Sequence, residues 1–255
     1  MSDPISTKIP SDINQLLSRS IIYHALGVLF RHPFLIEKDS LGKEQILVWQ
    51  KAVDNLDASG TKTLNNHFQQ LTQRLNLIHQ PQWRAEYENC FGFTAHGIVP
   101  IYELEYGEEH SHRQPQQLGD ITAFYNAFGL RINDKTHERA DHLTTECEFM
   151  YYLLFKEAYA NGQGMLAEGD VCQEAAKRFL SEHLGRWLPS FTRRLLKHAQ
   201  SEMMKQLAEF SFHFIAQEYQ CLGIKAGTED LPLRSLVEKD SFECADCSLK
   251  INTAG

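Results

Sequence analysis

Glutamate, aspartate and histidine side chains concentrate in one stretch of the chain, residues 138–150. If this stretch opens a helix, residues four apart share a face, which places Glu138 near His142 and His142 near Glu146. The helix dipole favours an acid such as Asp141 in the first turn and disfavours a protonated His142 there. These side chains could bind a cationic ligand or a metal ion. The spacing alone favours a third, structural interpretation, in which they cap and brace their own helix.

The elements that must position these residues are helices. Apolar residues recur with a helical period along nearly the whole chain, which predicts an all-α fold. Predicted helices cover about residues 13–32, 41–56, 63–78, 82–91, 114–128, 140–160, 170–184, 189–199 and 201–222. Ser11 or Asp12 can cap the first helix, and Pro189 is predicted in the first turn of its helix. The intervening segment 92–106 breaks the helical pattern and is a candidate binding loop.

Composition sets the class of protein and its domain organisation. The chain has 255 residues, of which 42% are hydrophobic and 23% charged, with a net charge of −8, as in an ordinary soluble globular protein. The patterns predict an extension over 1–11, one helical domain over 12–223 and a polar tail over 224–255. An acidic chain is a poor nucleic-acid binder. Neither a signal peptide nor a membrane span is recognisable, so a cytoplasmic location without membrane insertion is expected.

Two groups of residues raise the question of metal binding. Cys244 and Cys247 form a single Cys-x-x-Cys pair in the predicted tail, which is half of a usual zinc set. The pair could complete a site with a second chain, act as a redox pair or remain a solvated tail. Glu138, His142 and Glu146 on one helical face would suit a metal-binding helical enzyme, which is the alternative from a different functional class.

The acidic stretch also carries the signature of a known family. It resembles the TorD-like (TorD, DmsD, NarJ) chaperones, in which the pattern is roughly Glu-x-Pro-Asp-His-(Ile/Leu)-x-x-Glu-Leu-x-Phe-Met. The matching residues are Glu138, Asp141, His142, Leu143, Glu146, Phe149 and Met150. Ala140 stands where the family usually has Pro, and Cys147 where it usually has Leu. An alanine still permits a helix to begin there.

Further motifs of the same family follow in the same order along the chain. Residues 23–33 are similar to the family's first helix, residues 86–91 and 99–106 to its Glu-Tyr-x-x-Leu-Phe motif and Pro-Tyr-Glu-Ser loop, and residues 120–130 to the pattern before the signature. In the loop, Ile101 is inserted after Pro100, and Leu104 replaces Ser. The resemblance covers about residues 12–222.

The resemblance implies a non-catalytic cytoplasmic chaperone with no cofactor of its own. Its partner would be the precursor of a molybdoenzyme catalytic subunit, bound through its twin-arginine leader, its apo body or both, until the molybdenum cofactor is inserted. The positions implied in client or leader binding are Tyr102, Glu103, Tyr106, Tyr125, Glu138, Asp141, His142 and Glu146. The family also exchanges helices between subunits, so a homodimer is left open.

One expectation about stability follows from placing Asp141 and His142 in a first helical turn. A first-turn acid contributes only ~0.3–1 kcal/mol to its helix. Asp141→Ala or His142→Ala should then weaken client binding while helix content stays nearly intact. A variant that unfolds would instead support the structural interpretation. A helical scaffold with no specificity for leaders is a third hypothesis.

Overall fold

The computed structural model describes residues 12–36, 41–57, 62–92, 97–109, 111–133 and 138–235. Within these ranges the chain forms nine α-helices and no β-strand, which confirms the predicted all-α class. The helices are α1 (Ile13–Leu29), α2 (Lys43–Leu56), α3 (Thr63–Leu75), α4 (Gln80–Phe91), α5 (Gln114–Ala127), α6 (Leu143–Gly162), α7 (Leu166–Glu182), α8 (Leu184–His198) and α9 (Glu202–Leu222). None of these helices is both long and apolar enough to cross a membrane.

Helices α1 and α6 form the centre of the domain. Their packing is the most extensive helix pairing in the described chain, and α6 also packs against α7. Leu26 of α1 and Met150 and Leu154 of α6 are fully buried in the hydrophobic core. Asp12 caps α1 by accepting a hydrogen bond from the backbone N–H of Asn14, as the sequence predicted. Because α6 is central, the acidic stretch at its N-terminus is held by the core.

A buried ion pair joins the first and last helices. Both Glu218 carboxylate oxygens on α9 accept hydrogen bonds from the Arg19 guanidinium on α1, at 2.6 and 2.9 Å. The two side chains are 8% and 1% exposed. A planar two-bond pair of this kind has a single favourable geometry. It therefore fixes how α1 and α9 sit relative to one another.

Pro189 does not lie in a first turn, so that prediction was wrong. Helix α8 begins at Leu184, and Pro189 lies inside it. A proline has no N–H for the carbonyl four residues earlier, which here belongs to Gly185. The Tyr219 hydroxyl on α9 donates to that carbonyl instead. A tertiary contact thus replaces the missing helical hydrogen bond, and this contact is invisible in the local sequence.

Replacing Tyr219 by phenylalanine should lower the free energy of unfolding by about 1–2 kcal/mol, because the Gly185 carbonyl loses its donor in a buried setting. Urea denaturation of the purified chain measures the change. Tyr159→Phe is the matched control, since Tyr159 is 53% exposed, and its effect should stay within about 0.5 kcal/mol. Equal denaturation midpoints for the two variants would show that Tyr219 does not support α8.

The described residues after α9 run back over the helical domain. The backbone N–H of Leu231 donates to the Ser190 hydroxyl at 2.9 Å, and that of Arg234 donates to the Glu105 carbonyl at 2.8 Å. Arg234 itself is only 7% exposed. The domain boundary after residue 223 stays a prediction. Residues 224–235 nevertheless contact the loop that precedes the acidic stretch.

Candidate functional site

The first five residues of the acidic stretch, 138–142, lie before α6, and the remaining eight lie inside it. Helix α6 begins at Leu143, later than the predicted start near Ala140, and His142 is its N-cap. The Nδ1 atom of His142 accepts a hydrogen bond from the backbone N–H of Thr144 at 3.1 Å. Burial, together with the nearby charges of Arg31 and Arg139, lowers the pKa of His142 to about 3. A neutral imidazole carries no charge against the helix dipole and can act as the cap acceptor.

Asp141 is fully buried and anchors the loop to the start of α6. Its two carboxylate oxygens accept hydrogen bonds from the Arg139 guanidinium at 2.9 and 2.7 Å. One of these oxygens also accepts a hydrogen bond from the backbone N–H of Leu104 at 3.2 Å. The backbone carbonyl of Asp141 accepts another from the backbone N–H of Glu103 at 2.9 Å. Burial raises the pKa of Asp141, and the bonds from Arg139 and Leu104 oppose that rise. This carboxylate is occupied by internal partners.

The candidate binding loop packs directly on this anchor. The Leu143 N–H donates to the Ile101 carbonyl at 3.1 Å. The Tyr102 ring meets the His142 ring edge-on with centroids 5.1 Å apart, and the Arg139 guanidinium lies 4.7 Å from the centre of the Tyr102 ring. Contacts of a cation with an aromatic face of this kind are favourable. Residues 101–106 and 139–142 thus form one knot, which we call the Asp141 knot.

A cluster of buried carboxylates lies behind the Asp141 knot. Glu103 contacts His183 Nδ1 at 3.2 Å and Arg186 at 3.1 Å, whereas Glu105 pairs with Arg139 at 3.3 Å. Glu146 accepts a hydrogen bond from the Trp187 indole at 3.0 Å, but no donor among the described residues reaches its other oxygen. Burial and the neighbouring Glu103 raise the pKa of Glu146 well above its usual range. A protonated Glu146 can share its proton with Glu103.

Glu146→Gln should gain stability relative to the wild-type chain as pH rises. The folded chain retains a proton on Glu146 that the unfolded chain loses above its ordinary pKa of about 4.3. The folded state therefore binds more protons, and the wild type loses stability with pH until the pH passes the folded pKa. Glutamine copies the protonated acid without this titration. The unfolding free energy of Glu146→Gln minus that of the wild type should grow by up to about 1.4 kcal/mol per pH unit.

Urea denaturation at several pH values between about 5 and 8 tests this expectation. Glu182→Gln is the control, because the Glu182 side chain on α7 is 47% exposed and pairs only with Arg178 among the described residues. Its difference from the wild type serves as the baseline at each pH. If the Glu146→Gln difference does not grow beyond that baseline as pH rises, Glu146 is ionised in the folded chain.

A groove with a volume of about 640 Å³ opens beside the Asp141 knot. Its lining combines apolar and aromatic side chains with two arginines and two glutamates, and consists of His24, Arg31, Leu35, Tyr125, Leu130, Arg131, Ile132, Asn133, Glu138, Thr144, Thr145, Glu148, Phe149, Tyr151 and Tyr152. Arg31 pairs with Glu148. Glu138 instead contacts His142 Nε2 at 3.5 Å, and its side chain is 21% exposed. Since that imidazole is neutral, Glu138 is the groove carboxylate whose direct contact carries no charge.

The structure brings the eight predicted residues together but divides them by exposure. Six of them are buried, namely Glu103, Tyr106, Tyr125, Asp141, His142 and Glu146, whereas Tyr102 and Glu138 are partly exposed. The Tyr125 hydroxyl donates to the Ala140 carbonyl at 2.7 Å, and that of Tyr106 donates to the Pro100 carbonyl at 2.8 Å. Of these six, Tyr125 lines the groove, and His142 contacts the groove residue Glu138. Their role in binding a client stays a prediction.

Among the groove-lining residues, the sequence analysis predicted only Tyr125 and Glu138, and it missed the pair formed by Glu148 and Arg31. Glu148 occupies a variable position of the family signature, and the motif comparison therefore passed over it. A helical stripe would have found it, since Thr144, Thr145, Glu148 and Tyr152 recur three and four residues apart on α6. No such local signal exists for Arg31, because it reaches Glu148 from the segment just after α1.

The predicted metal alternative at the acidic stretch finds no support in the geometry. Among the described residues, the ligand atoms of Glu138, His142 and Glu146 do not gather into a metal-sized group. His142 uses Nδ1 to cap α6, and Glu146 turns instead toward Trp187. A metal-binding enzyme built on these three residues is therefore not the arrangement observed. Cys244 and Cys247 lie outside the described residues.

Comparison with known proteins identifies the family. The sequence profile of the family described as nitrate reductase delta subunit matches residues 54–193, which is more than half of the chain. The chain belongs to this family. The resemblance to TorD-like and NarJ-like proteins that the motifs predicted is thereby confirmed. The matched span includes both the loop and the acidic stretch of the Asp141 knot.

Named relatives of this nitrate reductase delta family are chaperones. The chain is 41% identical over 78 residues to the chlorate reductase assembly chaperone protein of Ideonella dechloratans, covering 31% of this chain and 39% of that one. It is 26% identical over 181 residues to the perchlorate reductase assembly chaperone protein of Dechloromonas aromatica, and this match covers 69% of this chain and 77% of that one. It is 23% identical over 168 residues to the chaperone protein TorD of Vibrio cholerae, and this match covers 63% of this chain and 74% of that one.

The extent of these matches differs. The match to the chlorate reductase chaperone spans about two fifths of that protein's length, whereas the match to the perchlorate reductase chaperone spans about three quarters. All three relatives are named as chaperones and none of the three as an enzyme, which supports the predicted non-enzymatic character of this chain.

Proposed function

We propose that this protein is a cytoplasmic assembly chaperone that binds the apo form of a molybdenum-cofactor oxidoreductase and holds it until the cofactor is inserted. Family membership is the observation that carries the proposal, because relatives are named as assembly chaperones of chlorate and perchlorate reductases. The client would be the catalytic-subunit precursor of a related oxidoreductase. The chaperone contributes binding and no catalytic step.

We further propose that the groove beside the Asp141 knot receives the client's twin-arginine leader. A guanidinium pairs best with a planar carboxylate. Among the described residues, Glu138 offers one that contacts no cationic side chain, and Glu148 offers a second once Arg31 is displaced. Burial raises the pKa of Glu138, and a bound arginine would favour its ionised form. The two carboxylates supply one partner for each leader arginine.

The apolar part of a leader has a matching surface next to the carboxylates. Tyr151, Phe155 and Tyr159 follow one another at intervals of four residues along α6, and the last two are 45% and 53% exposed. Residues at this spacing form a continuous stripe on one helix face. The stripe begins at the groove, because Tyr151 is one of its lining residues. An amphipathic or extended apolar segment that follows the arginines would lie along this stripe.

The Asp141 knot has a positioning role in this proposal. It fixes Tyr102 against His142 and sets where Glu138 enters the groove. Asp141 and His142 then act on the client through the groove wall rather than by direct contact. This assignment explains how buried residues can matter for binding. A groove that is already ordered avoids the entropy cost of becoming ordered when the leader binds.

Affinity capture from the native cytoplasm, followed by mass spectrometry, tests the proposed function. The wild-type chain should recover the precursor of a molybdenum-cofactor oxidoreductase with its leader attached. The Glu138→Gln/Glu148→Gln double variant should recover much less of it, whereas Glu182→Gln on α7 should recover as much as the wild type. Capture of no oxidoreductase by the wild-type chain would contradict the chaperone proposal itself.

A further inference from the structure

A second cluster of titratable side chains lies away from the groove, between α3 and α9. His67 of α3 and Glu209 and His213 of α9 each offer a ligand atom, and these atoms all lie within 4.8 Å of one another. The two imidazole rings are stacked with centroids 4.3 Å apart, and His213 Nε2 lies 3.8 Å from a Glu209 carboxylate oxygen. Neither the proposed chaperone role nor any family motif makes use of these residues.

The fold holds the three side chains in place. Glu209 and His213 are four residues apart on α9 and therefore share a face. On α3, the neighbouring residues Leu64, Phe68 and Leu71 are buried against the core. The Phe68 ring contacts Phe210 of α9 with centroids 5.2 Å apart. His67 is thus brought opposite the Glu209 and His213 pair by core packing on either side of it.

The chemistry of the cluster suits a metal ion. The buried His67 Nδ1 has no hydrogen-bond partner within the described part of the chain, and a buried polar atom without a partner is unfavourable. Two imidazoles and one carboxylate are a common zinc ligand set, with a fourth position left for water.

The geometry also gives an ion a route in from solvent. The His213 and Glu209 side chains are 34% and 36% exposed, so they border open water. Two ligand atoms of a tetrahedral zinc ion lie about 3.3 Å apart. The 3.8 Å between His213 and Glu209 is already close to that value. The stacked rings of His67 and His213 must rotate to direct both nitrogens at one ion.

We propose that His67, Glu209 and His213 form a binding site for a divalent transition metal ion of the zinc type, which clamps α3 to α9. This site lies apart from the leader groove. If no metal ion binds at this site, the proposed chaperone function is unaffected.

Zinc titration of the metal-free, untagged full-length chain tests the site, with bound metal measured by calorimetry and by equilibrium dialysis. The chain carries Cys244→Ser and Cys247→Ser so that these thiols cannot supply ligands. One zinc ion should bind per chain and raise the melting temperature. Loss of a residue that only hydrogen-bonds to a metal ligand already weakens metal affinity by about 10–100-fold. His67→Gln, His213→Gln and Glu209→Gln should therefore each weaken zinc binding by at least about tenfold.

His79→Gln is the matched control, because His79 is exposed and lies outside the cluster. Its zinc affinity and its zinc-induced rise in melting temperature should equal those of the parent chain. Circular dichroism shows whether each variant remains helical, and the partly exposed Glu209 provides a substitution with little effect on the core. Equal zinc affinity in His67→Gln, Glu209→Gln and His79→Gln, or no stoichiometric zinc binding by the parent chain, would overturn the proposal.

Discussion

Arg139→Ala is expected to lower the free energy of unfolding by about 3 kcal/mol at neutral pH. The substitution removes both side-chain hydrogen bonds from Asp141, which is 0% exposed and would keep only the backbone N–H of Leu104. Breaking a buried ion pair from one side costs about 3–5 kcal/mol, because the remaining charge is left without compensation. We expect the lower end, since the Arg139 side chain itself is 33% exposed.

The control for Arg139→Ala is Arg84→Ala, which removes an ion pair between Arg84 and Glu88 on the surface of α4. The Arg84 side chain is 53% exposed, and such a pair contributes about 0–1 kcal/mol. Adding Asp141→Asn to Arg139→Ala should recover part of the lost stability, because the buried charge is then gone. Urea denaturation measures all three. Similar small losses for Arg139→Ala and Arg84→Ala would mean that the Asp141 knot does not hold the loop.

This result bears on how Asp141 itself should be tested. The sequence led us to expect that Asp141→Ala leaves the protein nearly intact, because a first-turn acid contributes little to its helix. The structure instead places Asp141 before α6 with long-range partners. Substitution there is now expected to lower stability as well as client binding. Partly exposed groove residues are therefore better probes of binding than the Asp141 knot.

The largest functional effect is expected from the groove carboxylates. Glu138→Gln and Glu148→Gln should each weaken binding of a twin-arginine leader peptide by about tenfold, and together by about 100-fold. A hydrogen bond to a charged group contributes about 1.5–3 kcal/mol, and partial exposure of both side chains reduces this to about 1.4 kcal/mol, which is tenfold. Fluorescence anisotropy with a labelled peptide measures the affinities.

Three controls separate a groove effect from a general loss of negative charge. Glu182→Gln removes an exposed charge from α7 and should leave the peptide affinity unchanged. A peptide with two lysines in place of the arginines should bind more weakly to the wild type, because an ammonium ion cannot form the two-bond pair. Melting temperatures should stay near the wild-type value. Equal affinity of the double variant and Glu182→Gln would place the leader elsewhere on the protein.

The all-α fold could be predicted because helical periodicity is a local signal that covers nearly the whole chain. The errors arose where a distant partner decides the local structure. Asp141 leaves the helix because Arg139 and the Leu104 N–H bind its carboxylate. Pro189 sits inside α8 because Tyr219 satisfies the Gly185 carbonyl from another helix. Arg139 is close to Asp141 in sequence, but Leu104 lies 37 residues from Asp141 and Tyr219 lies 34 residues from Gly185, so these two partners cannot be read from the adjacent residues.

The location of the candidate site could be predicted from the sequence. The solvent exposure of its residues could not. The family motifs identified the loop and the acidic stretch, which the structure brings together in the Asp141 knot. They did not show that Glu103 and Glu146 point into the interior, since motif matching records residue type and not burial. Glu148 and Arg31, which line the groove, were missed because they pair between α6 and α1.

Hydrogen–deuterium exchange of the chaperone, with and without the leader peptide, tests the central claim that the groove beside the Asp141 knot receives the client. Binding should slow exchange in residues 130–133 and in the groove-facing part of α6, from Leu143 to about Tyr159. Exchange around the apolar pocket lined by Ile215, Tyr219 and Ile224 should not change. Protection at that pocket with none at the groove would contradict the account.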